Sequence, residues 1–353
     1  MSGITHHILH VAHDPTNIPV NSWSTPLSMG GLCPMHGVAV NSSGRFVSVG
    51  EMAPFPAVSY SLDGTTWVTP FKLSSSVGSV LRGVTVLGSG KFVAVGYDGA
   101  APVATYSTNG TSWIVPAKMN GTSVDADMTA VTVNSSGLFV AVGFIKTGGA
   151  SRPGAAYSID GMSWSTPILM NGYTGLGVMC GIAVNSSGLF VATGYDNADD
   201  AISAYSSDGM NWSTPTKNGV GGSGNMSSIT VNPSGLFVSV GYEFGTTLPK
   251  VSRSSDGITW TTPVRMNGST VPALMTGVTV NSSGKFVAVG YDSSIAPVAS
   301  YSADGITWTT PARMNGSSTY AHINAVTVNA SGKFVAVGFG VPLTPVGVSA
   351  HSY

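Results

Sequence analysis

One sequence pattern recurs along almost the whole chain at nearly even spacing. Each copy carries a tryptophan, and successive tryptophans are 44, 46, 51, 48, 48 and 48 residues apart. Between them recurs a polar turn that leads into Phe-Val-x-x-Gly, as in Asn281-Ser282-Ser283-Gly284 before Phe286. The tryptophans are Trp23, Trp67, Trp113, Trp164, Trp212, Trp260 and Trp308. A repeat of roughly 45 residues is typical of propellers and solenoids, so seven copies predict seven structural units.

One repeat can be divided into four strand-like segments. In the sixth repeat these are Met275–Asn281 (strand a), Lys285–Gly290 (strand b), Pro297–Ser302 (strand c) and Thr307–Arg313 (strand d). Turn residues separate them, and Gly284 supplies the positive φ that a tight hairpin turn requires. A single four-stranded blade cannot bury both of its faces, whereas a closed ring of blades can. The sequence therefore predicts an all-β, seven-bladed β-propeller of antiparallel blades.

The two ends of the chain supply parts of one repeat. The last repeat ends after its third segment, and the missing fourth segment is found near the start, where Trp23-Ser24-Thr25-Pro26 matches Trp164-Ser165-Thr166-Pro167. We therefore expect N- and C-terminal strands to share the seventh blade and to close a propeller over residues 21–353. Residues 1–20 are left as an N-terminal segment whose packing the pattern does not fix.

The N-terminal segment contains four histidines, which raises the question of a metal site. On a helix, three of them would share a face and could bind a divalent cation. However, polar and apolar residues alternate in this segment as they do in a strand. We therefore do not interpret the histidines as a metal site, and we predict neither a metal nor a cofactor. They are His6, His7, His10 and His13.

The composition excludes several classes of partner. Only 8% of the residues are charged and the formal net charge is −1, so the chain lacks the basic field that a nucleic acid or an anionic membrane surface requires. No apolar run is long enough to span a bilayer. We predict no nucleic-acid partner and no membrane insertion. Cys33 and Cys180 lie in different repeats and are expected to be buried thiols rather than a disulfide.

The cellular setting is only weakly constrained by the sequence. The first residues lack the basic-then-apolar order of a signal peptide. Many Asn-x-Ser/Thr sequons fall in tight turns, which tolerate glycosylation poorly. These features favour a bacterial or viral surface, or a cytosolic setting.

A second motif lies at the turn between strands c and d. Ser302-Ala303-Asp304-Gly305-Ile306-Thr307-Trp308 recurs in most repeats, with Asn109 in place of the Asp in the second. It resembles the Asp-box (BNR-type) repeat of sialidase-like propellers, Ser-x-Asp-x-Gly-x-Thr-Trp. The resemblance implies a structural motif, in which the carboxylate accepts backbone N–H bonds within its turn and the Trp fills the core between blades.

A sialidase-like activity would need a particular set of residues. The resemblance would imply an arginine triad that grips a carboxylate, a Tyr nucleophile activated by Glu, and an acidic Asp. Most of the arginines occupy repeat-equivalent positions, and the only glutamates are Glu51 and Glu243. One ring of residues at the start of the inner strands lies at the channel mouth and lacks paired carboxylates. The ring is His36, Arg82, Thr129, Cys180, Ser227, Thr276 and Asn324. We therefore expect a protein that is not an enzyme.

The loops on one side of the ring are the expected binding face. The a-b and c-d turns emerge on one side and are nearly constant, whereas the b-c and d-a loops emerge on the other and vary in length and chemistry. Variable loops on a rigid scaffold commonly carry binding residues. The b-c loops open with Tyr and a carboxylate, and the d-a loops contain Asn-Gly, often preceded by a cation and Met.

Aromatic rings, carboxylates, amides and cations together recognise sugars, by stacking on C–H faces and by bonds to hydroxyls. We therefore predict a multivalent, lectin-like propeller with sites between blades and glycans as partners. The predicted ligand-binding residues are Tyr97, Asp98, Tyr195, Asp196, Tyr242, Glu243, Tyr291, Asp292, Asn120, Asn171, Asn218, Asn267, Asn315, Lys118, Arg265 and Arg313. Another interpretation is that the Tyr rings cap the core and that Met-Asn-Gly is only a turn. The alternative functions are a protein-binding or structural propeller on a virion, fibre or cell surface, and a glycosidase-like enzyme.

Overall fold

The computed structural model describes residues 23–75, 78–121, 124–219, 223–316, 320–340 and 346–352. The predicted N-terminal segment, with its four histidines, lies outside the described residues. Within them, the chain forms seven four-stranded antiparallel sheets that we call blades 1 to 7. The predicted seven-bladed, all-β propeller is therefore confirmed.

Each blade contains four strands, and the first strand of the chain is the outermost strand of blade 7. The innermost strands, in blade order, are β2 (Met35–Val40), β6 (Val80–Val86), β10 (Ala126–Val133), β14 (Gly177–Val184), β18 (Asn225–Val231), β22 (Ala273–Val280) and β26 (Ala321–Val328). The second strands are β3 (Phe46–Met52), β7 (Phe92–Tyr97), β11 (Phe139–Thr147), β15 (Phe190–Asp196), β19 (Phe237–Tyr242), β23 (Phe286–Asp292) and β27 (Phe334–Gly340). The third strands are β4 (Phe55–Ser61), β8 (Pro102–Ser107), β12 (Ala150–Ser158), β16 (Ala201–Ser206), β20 (Pro249–Ser254), β24 (Pro297–Ser302) and β28 (Val346–Ser352). The outermost strands are β5 (Phe71–Lys72), β9 (Ala117–Lys118), β13 (Ile168–Leu169), β17 (Thr216–Lys217), β21 (Val264–Arg265), β25 (Ala312–Arg313) and β1 (Leu27–Ser28).

Short 3-10 turns follow four of the outermost strands, and the described residues contain no helix long and apolar enough to cross a bilayer. These turns are Met119–Gly121, Met170–Gly172, Met266–Gly268 and Met314–Gly316.

Blade 7 is built from both ends of the described chain, as predicted. Strand β1 pairs antiparallel with β28, where Leu27 lies opposite Ser349. Trp23 is 2% exposed, and its indole N–H donates to the phenol oxygen of Tyr301 in blade 6. The ring is therefore closed by main-chain pairing within blade 7 and by side-chain packing against the blade before it.

The outermost strands are shorter than the sequence predicted. In blade 6, ladder pairing with β24 is confined to Ala312–Arg313, although strand d was expected to begin at Thr307. The Ser300 hydroxyl instead donates to the Thr309 carbonyl at 2.6 Å, and the Thr309 hydroxyl accepts the Tyr301 N–H at 2.9 Å. Side-chain hydroxyls thus replace part of the backbone ladder, which hydrophobic alternation cannot reveal.

The core lies between neighbouring blades. A typical cluster combines Val93 of blade 2 with Phe139 and Trp164 of blade 3. The phenylalanine that opens each second strand is almost fully buried, and full burial of such a side chain contributes about 1.5–3 kcal/mol. These residues are Phe46, Phe92, Phe139, Phe190, Phe237, Phe286 and Phe334. Because each blade buries its faces on its neighbours, the fold depends on closure of the ring.

The turn between strands c and d is held by its Ser and Asp. In blade 6, Asp304 Oδ1 accepts the N–H groups of Ile306 and Thr307, both at 2.7 Å. Ser302 Oγ accepts the Gly305 N–H at 2.8 Å, and Gly305 has φ +72°. The same bonds form around Asn109 in blade 2. The Asp of this motif therefore has the structural role expected from the sequence.

Candidate functional site

A bulge in each inner strand directs one side chain into the central channel. In blade 6, Met275 pairs with Gly290 and Gly277 pairs with Val289, so Thr276 has no partner residue opposite it. The same interruption occurs in all seven blades. A bulge changes the direction of a side chain relative to a regular strand. The bulged residues are His36, Arg82, Thr129, Cys180, Ser227, Thr276 and Asn324, and they line one cavity of about 210 Å³.

The bulge explains the invariant glycine of Phe-Val-x-x-Gly. A Cβ atom on Gly290 would lie 1.8 Å from the carbonyl oxygen of Leu274, and one on Gly96 would lie 1.9 Å from that of Val80. No residue with a side chain fits there, because its Cβ atom would clash with the backbone of the facing strand. The glycine is therefore required by the close approach of the bulged inner strand.

Some bulged residues connect neighbouring blades. Thr129 Oγ1 donates to the Met179 carbonyl of the next blade at 2.6 Å, and Thr276 Oγ1 donates to that of Ile323 at the same distance. Asn324 Nδ2 donates to the Met35 carbonyl at 2.8 Å. These residues have a structural role in the ring, whereas His36 and Arg82 carry chemistry that the scaffold does not need.

Six blades place an aromatic residue at the end of the second strand, one position after the invariant glycine. We call these residues the aromatic collar; all are half-buried. The collar consists of Tyr97, Phe144, Tyr195, Tyr242, Tyr291 and Phe339, and Glu51 takes the same position in blade 1. Burial raises the pKa of Tyr195 to about 12 and also raises the pKa of Tyr242 and Tyr291. The phenols are therefore protonated at neutral pH and can donate hydrogen bonds.

Polar residues that break the repeat lie beside the collar in blades 5 and 7. Asn225 Nδ2 donates to Tyr242 Oη at 3.0 Å. His322 lies between two collar rings: its centroid is 4.0 Å from that of Tyr291 and 4.7 Å from that of Phe339, the latter stacked. Burial lowers the pKa of His322, so the imidazole is neutral at neutral pH.

Blades 1 to 3 contribute a group that we call the charged sector: His36, Glu51, Arg82 and Asp127. Arg82 Nε donates to Asp127 Oδ2 at 3.2 Å, and its guanidinium lies 5.4 Å from the Tyr97 ring centroid. Burial raises the pKa of Asp127, against the opposing effect of Arg82. His36 Nε2 lies 3.8 Å from Glu51 Oε1, and His36 lowers the pKa of Glu51.

The sequence did not single out Asp127, Asn225 or His322. Each occupies the inner-strand position that pairs with a collar residue, where blades 2, 4 and 6 have Val80, Val178 and Leu274. The change between polar and apolar residues at this one repeat position could have marked these three residues as candidates for the site. The carboxylates that the ring of bulged residues lacks are supplied nearby by Glu51 and Asp127.

The predicted carboxylates of the b-c loops hold those loops together. Asp292 Oδ1 accepts the N–H groups of Ser294 at 2.8 Å and Ala296 at 2.9 Å. Its other oxygen lies 2.7 Å from Arg313 Nε, and in blade 5 Glu243 Oε2 lies 3.0 Å from Arg265 Nη2. The corresponding pairs are Asp98 with Lys118 at 3.7 Å and Asp196 with Lys217 at 3.5 Å. Each predicted cation, Lys118, Arg265 and Arg313, thus pairs with a carboxylate of its own blade.

The predicted asparagines of the d-a loops reach across blade boundaries. Asn120, Asn171, Asn267 and Asn315 adopt left-handed backbone conformations in the 3-10 turns. Each donates from Nδ2 to a threonine hydroxyl of the next blade, and the acceptors are Thr166, Thr214, Thr310 and Thr25 at 2.7, 2.6, 2.9 and 3.2 Å. Asn218 differs: it is 1% exposed, and neither side-chain atom has a hydrogen-bond partner among the described residues. The described residues contain no group of three His, Cys, Asp or Glu side chains suited to a metal ion.

Asn267 also lines a cavity on the outer edge of blade 6. The cavity has a volume of about 430 Å³, and Lys285, Tyr301 and Trp308 contribute to its wall. A cavity at the equivalent place in blade 1, of about 410 Å³, is lined by Tyr60 and Trp67. The outer edge therefore carries a recurring aromatic groove, separate from the channel mouth.

No known family model and no curated protein sequence matches the chain. Solved propellers match its fold at low identity. YCF48, solved bound to a D1 peptide, is 14% identical with a TM-score of 0.64, over 94% of this chain and 97% of that one. The BP39L lectin from Burkholderia pseudomallei is 12% identical with a TM-score of 0.67, over 92% and 96%. The NanB sialidase from Streptococcus pneumoniae is 13% identical with a TM-score of 0.54, over 93% and 69%. A peptide-bound protein, a lectin and an enzyme thus share the fold, which by itself selects none of these functions.

Proposed function

We propose that this protein is a multivalent carbohydrate-binding propeller whose repeated sites lie at the boundaries between blades. The observation that carries the proposal is the outer-edge cavity at the boundary of blades 5 and 6. It joins the amide of Asn267 and the side chain of Lys285 with Tyr301 and Trp308, which are 5% and 3% exposed. An aromatic wall with a few convergent polar groups suits the alternating C–H and hydroxyl surface of a sugar.

The same residue types recur at other boundaries, which supports multivalency. Each set combines an Asn of one blade with a Tyr and a Trp of the next. The further sets are Asn120 with Tyr157 and Trp164, and Asn171 with Tyr205 and Trp212. Several weak sites on one rigid ring would bind a surface rich in glycans by avidity.

The Tyr and carboxylate groups of the b-c loops, and the cations that precede the d-a loops, have a supporting role in this proposal. The carboxylate and its cation, such as Asp292 and Arg313, preorganise the loop, and Tyr291 is part of the collar. Charged groups already fixed by protein contacts lose little freedom when a ligand binds. The similarity to the BP39L lectin is consistent with this function but shows only the fold.

Binding to a panel of immobilised glycans, followed by calorimetric titration with the best monosaccharide, tests the proposal. We expect a stoichiometry above one. Asn267→Ala should remove about one site, and Thr310→Val is its matched control, because it breaks the same inter-blade hydrogen bond without removing the amide. Retained sites in Thr310→Val and a lost site in Asn267→Ala would support a ligand role for Asn267. A stoichiometry unchanged by Asn267→Ala, or no glycan bound, would contradict the proposal.

Binding of a protein segment is the second candidate. Several c-d turns expose large apolar side chains on the face opposite the b-c loops; examples are Leu62 at 69%, Ile159 at 75% and Ile306 at 52% exposed. Exposed apolar side chains grouped on one face are typical of interaction surfaces. A protein that binds no glycan but loses a protein ligand after Ile159→Ser would favour this candidate.

A further inference from the structure

We propose that the channel mouth holds one additional site, built by the charged sector and the aromatic collar, that binds a single neutral sugar residue. This inference rests on the proposed carbohydrate-binding function and specifies a second class of site for it. The repeated boundary sites lie on the outer edge, whereas this site lies on the axis and occurs once per molecule.

The first support is a pair of buried polar atoms that lack partners. The Asp127 side chain is 9% exposed, and its Oδ1 has no hydrogen-bond partner among the described residues, although Oδ2 is bound by Arg82. His36 Nε2 lies 3.8 Å from Glu51 Oε1 but makes no hydrogen bond among the described residues, and His36 lines the central cavity. A buried polar atom left unpaired costs free energy, so a ligand hydroxyl that reaches and pairs with it binds favourably.

The second support is that these residues break the repeat. His36 and Arg82 occupy bulge positions where Thr129 and Thr276 form inter-blade hydrogen bonds. Asp127 is the carboxylate at a position that is apolar in blades 2, 4 and 6 and carries neutral polar side chains, Asn225 and His322, in blades 5 and 7. A sevenfold scaffold needs only the repeated residues, so a local cluster of exceptions indicates a function that occurs once.

The third support is the balance of charge, which identifies the ligand class. Asp127 is paired with Arg82, Glu51 lies beside His36, and the nearby Lys146 Nζ lies 3.4 Å from Asp125 Oδ1. Among these described residues no cation is left in excess to attract an acidic sugar, and Arg82 disfavours a cationic ligand. Carboxylate, imidazole and guanidinium side by side instead offer acceptors and donors to neighbouring hydroxyls.

The fourth support is the shape of the mouth. The central cavity is lined by His36, Arg82 and the other bulged residues, and the collar ring of Tyr97 lies beside Arg82. The cavity volume of about 210 Å³ is below the roughly 300–1,000 Å³ typical of sites for drug-sized ligands. One sugar residue, rather than a longer segment of a chain, is the ligand that this space favours.

Calorimetric titration of the full chain with methyl glycosides of neutral hexoses, and separately with glucuronic and sialic acid, tests the inference. The variants are Asp127→Asn and Arg82→Gln. Asp256→Asn is the matched control, since it makes the same chemical change in a c-d turn on the opposite face and reproduces the residue present at Asn109; blade 5 has Arg253 where the proposed boundary sites have Tyr. Thermal melting of each variant reports whether the ring is intact.

We expect each of the two variants to lower the stoichiometry for a neutral glycoside by one, or to weaken one class of site at least tenfold, while the control titrates as the original chain does. Unchanged titrations in both variants would contradict the axial site but leave the boundary sites standing. A preference of the axial site for acidic glycosides would overturn the assigned ligand class. If the original chain binds no glycoside, the proposed function itself fails, and that result is distinct from the other two.

Discussion

Asn171 of blade 3 donates a hydrogen bond from Nδ2 to Thr214 Oγ1 of blade 4, at 2.6 Å. The same bond joins Asn267 to Thr310 between blades 5 and 6. It accounts at once for two separated pieces of the repeat, the Met-Asn-Gly turn and the Thr that follows the Trp by two positions. The repeat therefore encodes contacts between blades as well as the strands within them.

Loss of this bond should weaken the ring. Thr214→Val removes the acceptor, so we expect the free energy of unfolding to fall by about 0.5–1.5 kcal/mol. Asn171→Ala should cost more, because Asn171 has φ +43° and an alanine in the left-handed region adds about 1–2 kcal/mol. Guanidinium unfolding of both variants measures the difference. Equal stability of Thr214→Val and the original chain would show that the bond contributes nothing.

The glycine opposite each bulge should tolerate no side chain. In Gly290→Ala the new Cβ would meet the Leu274 carbonyl oxygen at 1.8 Å, so strand β22 must shift. We expect a loss of roughly 1–3 kcal/mol, as for other overpacked sites. Gly88→Ser is the control, because nothing lies within 4 Å of a Cβ there and other repeats have Ser at that position. Similar thermal melts for both variants would refute the close-approach explanation.

Closure should depend on Trp23. Trp23→Ala empties a buried position between blades 6 and 7 and removes the bond to Tyr301, so we expect about 3–5 kcal/mol of destabilisation. Trp113→Ala at the equivalent place in blade 2 should cost less, because Trp113 is only half-buried. The two unfolding curves can be compared directly. A larger loss at Trp113 would contradict this account of closure.

Acid should weaken the c-d turns. Burial opposes the shift, but backbone hydrogen bonds from Asn211 and Met210 outweigh it and lower the pKa of Asp208 to about 2, from a usual value near 3.8. A carboxylate with a lowered pKa in the folded state stabilises the fold above its unfolded pKa, and this contribution is lost as the pH falls from about 4 to about 2. The melting temperature should therefore drop over that interval. Asp208→Asn should show a smaller drop, since it cannot be protonated, and an identical pH profile for both proteins would rule out the assignment.

The candidate site was only partly predictable. The aromatic collar includes Tyr97, Tyr195, Tyr242 and Tyr291, which the loop pattern had selected. The carboxylates and amides beside them were selected for ligand binding, yet Asp292 also caps its loop and Asn267 also joins two blades. A sequence shows which polar side chains a loop contains. It does not show which of them already form hydrogen bonds within the protein.

The sequence by itself determined the number of blades, the strand order within each blade and the closure of the ring by both ends. These follow from a repeat written seven times, because local turn chemistry and alternation need no knowledge of distant contacts. The sequence also predicted the ring of seven residues that line the central cavity, but only the tertiary structure decided that Asp127 joins Arg82 beside it. His36 and Arg82 occupy the bulges of β2 and β6, whereas Asp127 lies two positions before the bulged Thr129 of β10 and reaches Arg82 across a blade boundary. The physical reason is that Arg82 and Asp127 lie 45 residues apart in neighbouring blades, so neither local turn chemistry nor the alternation within one strand reports their contact.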